Sequence, residues 1–242
     1  MINFKISIIT INYNNLSGLI KTFSSIANQI VKPDIYEWIV IDGNSTDGSR
    51  KWLLDTQAVF KYTYISESDN GIYNAMNKGI RMSNGKYILF LNSGDIFYKN
   101  NSLEYLNNTI SNNKNSDLFL FGFKYNNIKR NPKPLWWRYW SLPTSHQSIL
   151  YKQDLLISNQ FNENYSFASD YDHFLKLLNK DLHILSDNFI LIENEKYGSD
   201  KNFYKLKIEY KSIFLKNYPN KYLAIFLVEL KFTYYKILKY FN

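Results

Sequence analysis

Three carboxylates, Asp42, Asp69 and Asp95, each stand just beyond a run of residues that reads as a β-strand. Trp38–Ile41 runs into Asp42, Tyr62–Ser66 leads to Asp69, and Tyr87–Leu91 closes on Asn92-Ser93-Gly94-Asp95. If the three strands share one sheet, their acids meet at its carboxyl edge, where open α/β sheets bind ligands. A fourth acid, Asp170, opens a later helix in Ser169-Asp170-Tyr171-Asp172. The plainer role of an Asp after a strand is to form a turn or cap a helix. Three such acids with Gly or Asn beside them favour a ligand, because Gly lets a backbone approach one closely.

The elements that would position these acids can be read in order. Phe4–Ile11 is a β-branched strand, and Leu16, Leu19, Ile20, Phe23, Ile26 and Ala27 give the following helix its apolar stripe. In Ser66–Asp95, residues Ile72, Ala75, Met76, Gly79 and Ile80 recur at helical spacing ahead of the continuous apolar run Tyr87–Leu91. An unbroken apolar strand is expected where both sheet faces are covered. Strands alternating with helices predict a doubly wound, mostly parallel α/β sheet. Beyond Asp95, helices are expected over Ser102–Ser111 and Ala168–Leu178, and strands over Asp117–Tyr125, Gln147–Tyr151 and Leu182–Glu193. Lys129–Pro143, with three Pro and three Trp, reads as a flap.

The 242 residues carry a net charge of +8, spread unevenly. Residues 201–242 hold nine Lys against two Glu, and twelve aromatic residues, so a basic aromatic appendage (199–242) is expected on a near-neutral domain (1–198). The absence of cysteine excludes disulfides and thiolate-bound metals and fits a reducing compartment. No run is long enough to span a bilayer. From Pro219, residues Leu223, Phe226, Leu227, Leu230, Tyr234, Ile237, Leu238 and Phe241 form a 3-and-4-spaced stripe, with Lys221, Lys231, Lys236 and Lys239 largely off it. Such a stripe lies either in an anionic membrane surface or against protein, including a second copy of the chain. No nucleic-acid motif is present.

Five ordered blocks, SIITINYNN, IVIDGNSTDGS, ESDNGIYNAMNKGI with NGKYILFLNSGD, HQSILY, and ASDYDHFLKLL, resemble the inverting glycosyltransferases of family 2. The resemblance covers about Ser7 to Leu178 and implies a GT-A fold. It also implies sugar transfer from a nucleotide-sugar, UDP-linked by preference, to a glycan hydroxyl with inversion, in bacterial surface polysaccharide synthesis. By this resemblance Asp42 accepts a hydrogen bond from the nucleotide base and Asp69 lies near the base or ribose. Asp95 holds Mn²⁺ or Mg²⁺ against the diphosphate, with Asn92 and Ser93 on the donor side, and Asp170 is the general base. His146 matches a family His that approaches the diphosphate, and Asn77 and Lys78 are candidate donor contacts. The acceptor is expected on a polyprenyl diphosphate, which places the protein in the cytoplasm on the inner face of the membrane.

The chain departs from the family where acids are common, at Asn92, Gly94 and Ser169. Asp95 is then the lone carboxylate of its motif, and Asp172 rivals Asp170. Their two-residue offset on a helix favours Asp170. Trp136, Trp137 and Trp140 are read as packing of an irregular segment, with a sugar-stacking platform as the alternative. A weakly active assembly subunit and a sugar nucleotidyltransferase are the competing functions. The latter lacks support because Asn12–Asn15 contains neither Gly nor a basic residue.

Overall fold

The computed structural model describes residues 5–58, 60–195 and 202–241. Phe4 and the expected 198/199 boundary lie outside the described residues. The chain alternates β1 (Ile6–Asn12), α1 (Leu16–Ala27), β2 (Tyr36–Asp42), α2 (Ser49–Asp55), β3 (Lys61–Ser66), α3 (Ile72–Met82) and β4 (Tyr87–Phe90). Strands β3-β2-β1-β4 pair in parallel, so their carboxyl ends share one edge. The register aligns Asn12, Asp42 and Ser66 in one row across three strands, which puts their side chains on one face.

The second half closes the sheet. It contains β5 (Ile96–Phe97), α4 (Ser102–Asn112), β6 (Leu118–Tyr125), β7 (Ile128–Arg130), β8 (Ile149–Lys152), α5 (Gln153–Ser158), α6 (Ser169–Leu177) and β9 (Ile184–Glu193). Strand β8 inserts antiparallel between β4 and β6, and β9 runs parallel to β6 and antiparallel to β5. Thus β9 delivers Asn194 and Glu195 beside the turn that leaves β4. Strand β7 and a short 3₁₀ turn at Leu135–Tyr139 give partial order to the expected flap.

Two apolar layers flank the sheet. In one, Phe23 packs on Trp38, Trp52 and Phe60 with ring centroids 5.3–6.0 Å apart. The other holds α3 tightly against the sheet: a Cβ on Gly79 would come within 2.5 Å of Ile9 Cγ2. Even one methyl there would push the helix outward.

Helices α7 (Phe203–Asn217) and α8 (Lys221–Phe241) form a hairpin that packs against α6. Tyr210, Ile213, Phe214, Ala224, Val228 and Phe232 join Ala168, Tyr171 and Leu175 in a third core. The apolar stripe anticipated on α8 is not the face that makes this contact. Leu223, Phe226, Leu230, Tyr234 and Ile237 are all exposed, while Ala224, Val228, Lys231 and Phe232 are buried. The small residues allow close helix approach, so the helix docks through its less hydrophobic side. The side chains of Leu238 and Phe241 lie outside the described residues.

Candidate active site

The row Asn12–Asp42–Ser66 forms the floor of the parallel edge. Asp42 is fully buried, and both carboxylate oxygens are engaged: Oδ1 accepts from Asn12 Nδ2 (2.7 Å) and Ser45 Oγ (2.5 Å), Oδ2 from Ser66 Oγ (2.6 Å) and Ser45 N (3.0 Å). A carboxylate offers about four acceptor positions, so none is left for a nucleotide base. The expected direct base contact is therefore not available to Asp42; it fastens the β2 turn instead. Asn12 extends the network, its Oδ1 accepting from Ser93 Oγ at 2.8 Å. Neither Asn12, Ser45 nor Ser66 stood out in the sequence as a site residue.

Above this floor, Gly43 leaves a gap between an exposed ring and an acid. A Cβ on Gly43 would lie 3.1 Å from Tyr13 Cδ2 and 3.2 Å from Asp69 Oδ2. Asp69 pairs with Lys78 of α3 at 2.6 Å, and Lys78 also reaches Glu67 at 2.8 Å. Lys78 and Asp69 are thus brought together, whereas Asn77 is not with them. Asn77 is buried and bonded at both ends to the segment after α5, through Phe161 N and O and Glu163 Oε1. The expected donor contact by Asn77 gives way to this structural tie.

At the β4 turn, Asp95 is buried and its Oδ1 accepts from Glu195 N (2.8 Å) and Asn194 Nδ2 (3.3 Å). Burial, with the Glu195 carboxylate adding repulsion, pushes the Asp95 pKa up to about 7. Gly94 takes φ +101°, and a Cβ built on it would fall 2.1 Å from Glu195 Oε2. The Glu195 carboxylate therefore occupies the space a side chain at position 94 would fill. Asn92 Oδ1 and Asn194 Oδ1 are buried oxygens without a hydrogen-bond partner. Two carboxylates and two idle amide oxygens are a hard donor set of the kind Mg²⁺ and Mn²⁺ take. Among the described residues no group of three or more His, Cys, Asp or Glu gathers for a metal, so the amides must complete any such site.

Asp170 lies in the first turn of α6, partly buried. Its Oδ1 accepts from Tyr73 Oη of α3 at 3.2 Å and from Tyr171 N at 2.9 Å. Burial pushes its pKa up to about 6, against the lowering effect of those bonds and of Lys231. Asp172 is different: it is fully buried between Lys176 (2.6 Å) and Lys216 (3.4 Å). Asp172 is enclosed and held by two lysines, whereas Asp170 is only partly buried and has no ion pair among the described residues, so the geometry sets the two acids apart.

His146 is buried against Phe90, Phe161 and Tyr151, with Nδ1 3.2 Å from Tyr151 Oη. Burial drives its pKa down to about 3, so it is a neutral imidazole rather than a cationic diphosphate contact. In the flap, Trp136 is exposed and meets Trp137 edge-on at 5.7 Å. Neither it nor Trp137 and Trp140 is a core residue, contrary to the packing expectation.

A model of glycosyl transferase family 2 matches residues 7–184. The chain belongs to glycosyltransferase family 2. Its fold is that of the GT-A enzymes: it superposes on Staphylococcus aureus TarS 1–349 in complex with UDP-GlcNAc with TM-score 0.68 at 18% identity. That match covers 94% of this chain and 71% of TarS 1–349. The Pyrobaculum calidifontis mannosyltransferase PcManGT, in complex with GDP-Man and Mn²⁺, gives TM-score 0.67 at 17% identity over 88% of this chain and 63% of that one. Among curated relatives, the poly(ribitol-phosphate) β-N-acetylglucosaminyltransferase TarP of S. aureus is 31% identical over 118 residues, 48% of this chain and 36% of TarP. A PGL/p-HBAD biosynthesis glycosyltransferase of Mycobacterium bovis is 28% identical over 180 residues, 69% of this chain and 66% of the relative. The match spans about a third of the length of TarP. Among the described residues, no helix is long and apolar enough to cross a membrane.

Proposed function

We propose that this glycosyltransferase moves a sugar from a nucleotide-sugar, by preference UDP-linked, to a hydroxyl of a glycan acceptor with inversion at the anomeric carbon. The observation that carries the reading is Asp170: a partly buried carboxylate with a pKa near 6, held by Tyr73 of α3, the helix whose Lys78 pairs with Asp69. The acceptor oxygen bonds to the anomeric carbon as the bond from that carbon to the diphosphate breaks, and the acceptor proton passes to Asp170. A base whose pKa lies near the working pH is the efficient one.

In this reading Tyr13 stacks on the nucleotide base over Gly43, and Asp69 accepts from the base or ribose in place of the saturated Asp42. Lys78, already paired with Asp69, orients it. Asp95, Glu195, Asn92 and Asn194 would hold the divalent cation, which when bound neutralises charge on the leaving diphosphate. The fit of Glu195 over Gly94 weighs against an inactive assembly subunit, because the carboxylate missing from the β4 turn is supplied from the end of β9.

The exposed stripe on α8, with Lys221 and Lys236 nearby, supports a peripheral position on an anionic membrane, where a polyprenyl-diphosphate-linked acceptor would be met. TarS in complex with UDP-GlcNAc and TarP as an N-acetylglucosaminyltransferase favour a UDP-N-acetylhexosamine donor. Calorimetry with UDP, GDP and dTDP in Mn²⁺, followed by UDP release from UDP-GlcNAc, tests the reading. Absence of both nucleotide binding and donor turnover across that panel overturns it.

A further inference from the structure

The α7–α8 hairpin holds two loops by their main chains. On α7, Glu209 is buried, and its carboxylate accepts three consecutive backbone N–H groups: Ser166 at 2.7 Å, Phe167 at 2.9 Å and Ala168 at 2.9 Å. Those residues lead directly into Ser169-Asp170. On the flap, three consecutive carbonyls are held in turn. Arg138 O accepts from Tyr171 Oη at 2.6 Å, Tyr139 O accepts from Tyr218 Oη, and Trp140 O accepts from Lys231 Nζ at 2.6 Å. Tyr218 follows α7 and Lys231 lies on α8.

Lys231 is fully buried, an unusual state for an ammonium group without a carboxylate partner. Its Nζ stands 3.6 Å from the centroid of the Tyr210 ring and 5.5–5.9 Å from those of Tyr235, Tyr171 and Trp140. Aromatic faces and one carbonyl hold the cation in place of water. Tyr73 from α3 bonds Asp170 directly, and Tyr151 from β8, Tyr210 from α7 and Lys231 from α8 lie within its electrostatic reach, as Glu209 does for Tyr73. The tyrosines are all driven above their ordinary pKa and stay neutral in the working range. Burial drives the Lys231 pKa well below its ordinary value while Asp170 pulls it back up, so Lys231 is the basic group whose charge is coupled to the base.

We propose that Glu209 and Lys231 are positioning residues for the transfer reaction. Glu209 fixes the loop that presents Asp170, and Lys231 ties the tryptophan flap, through Trp140 O, to the ring of Tyr171 next to the base. The hairpin is then a wall of the active site on the acceptor side, not a detachable anchor. This rests on Asp170 being the base, as proposed above.

The test uses the full chain with Mn²⁺ and UDP-GlcNAc, following UDP release and, separately, UDP affinity. Glu209→Gln keeps the volume but loses the charge that binds three N–H groups. UDP release should fall at least tenfold, with UDP affinity within twofold of wild type. Lys231→Met should move the acid limb of the rate–pH profile upward, because Asp170 loses its neighbouring cation, while Lys231→Arg should restore the limb. If either buried substitution prevents folding, Tyr218→Phe removes a single flap bond and should lower the rate threefold or more at unchanged UDP affinity. Folded variants with wild-type rates and an unmoved pH limb overturn the positioning role, as do variants that lose UDP affinity in parallel with rate. UDP release that survives Asp170→Asn overturns the base assignment, and this proposal with it. Full UDP binding with that variant inactive leaves the base in place and isolates the hairpin.

Discussion

Tyr73 and Asp170, 97 residues apart, meet in a 3.2 Å hydrogen bond that ties the helix α3 to the start of α6. The same helix carries Lys78, which pairs with Asp69. One short helix therefore spans the distance between the proposed nucleoside end of the site and the proposed base.

Asp170→Asn should lower sugar transfer by about 10²- to 10⁴-fold, the usual contribution of a general base, with donor affinity close to wild type. Steady-state rates alongside calorimetry check this. An Asp170→Asn enzyme within tenfold of wild type would move the base elsewhere.

The same substitution has an opposite effect on stability. The folded-state pKa of Asp170 is about 6, above its ordinary value of 3.8, so the folded protein holds this proton more tightly than the unfolded chain. Stability from that proton is full below about pH 4 and is lost as pH rises through about 6. Asp170→Asn removes the cost of burying the charge, since the amide oxygen can still accept from Tyr73 and Tyr171. It should raise stability by up to about 3 kcal/mol at pH 8 and by little at pH 4. Urea unfolding at the two pH values measures the difference; an equal change at both would contradict the burial argument.

Glu195→Gln should weaken Mn²⁺ binding in the presence of UDP about tenfold, read by electron paramagnetic resonance rather than by turnover, because one of two hard carboxylates is lost. Gly94→Ala should also cost stability, about 1–3 kcal/mol. It forces a side chain into φ +101° and against the Glu195 carboxylate. Unaltered Mn²⁺ affinity in Glu195→Gln would return the site to Asp95 and its amides.

Tyr13→Ala should reduce UDP affinity about tenfold, in line with the 1–3 kcal/mol of base–aromatic stacking. Asp42→Asn, by contrast, should act chiefly on folding. One of its oxygens becomes an NH2 that faces either the Asn12 amide and the Ser45 hydroxyl or the Ser66 hydroxyl and the Ser45 N–H, all of which now donate to it. Thermal unfolding and UDP titration separate the two effects, and a Tyr13→Ala protein with full affinity would remove the stacking role.

The outer face of α8 can be tested without disturbing Lys231. Phe226→Glu with Leu230→Glu should abolish co-sedimentation with anionic vesicles while leaving UDP release from UDP-GlcNAc unchanged. Sedimentation equal to wild type would leave the stripe to a second copy of the chain.

The strand ends were legible in the sequence because β1, β2 and β4 are covered on both faces and read as unbroken apolar runs. Asp42, Asp69 and Asp95 could be placed at one edge from that pattern alone. What hydropathy could not convey was occupancy: the donors that saturate Asp42 come from Asn12, Ser45 and Ser66, polar residues common in any turn. Glu195, Glu209 and Lys231 were hidden for a related reason. Each meets its partners 40 to 100 residues away in sequence, and a buried Lys or Glu breaks the rule that charges face water. The α8 stripe was found at the correct spacing yet, apart from Leu227, faces outward, because Ala224 and Val228 let the opposite side approach its neighbours closely.

The hairpin grips carbonyls 139 and 140 and amides 166–168, and α6 holds carbonyl 138 through Tyr171, all of them atoms that every residue possesses. Side chains along the flap bear little of that grip. Trp136 and Trp137 can therefore be exchanged without loosening the frame that holds them, whereas the Trp140 ring also packs over Lys231. On the sugar-stacking reading of these tryptophans, the stacking surface would be mounted on a fixed frame of main-chain bonds. On that reading a different partner sugar would call for new side chains in the flap, with α7 and α8 left as they are.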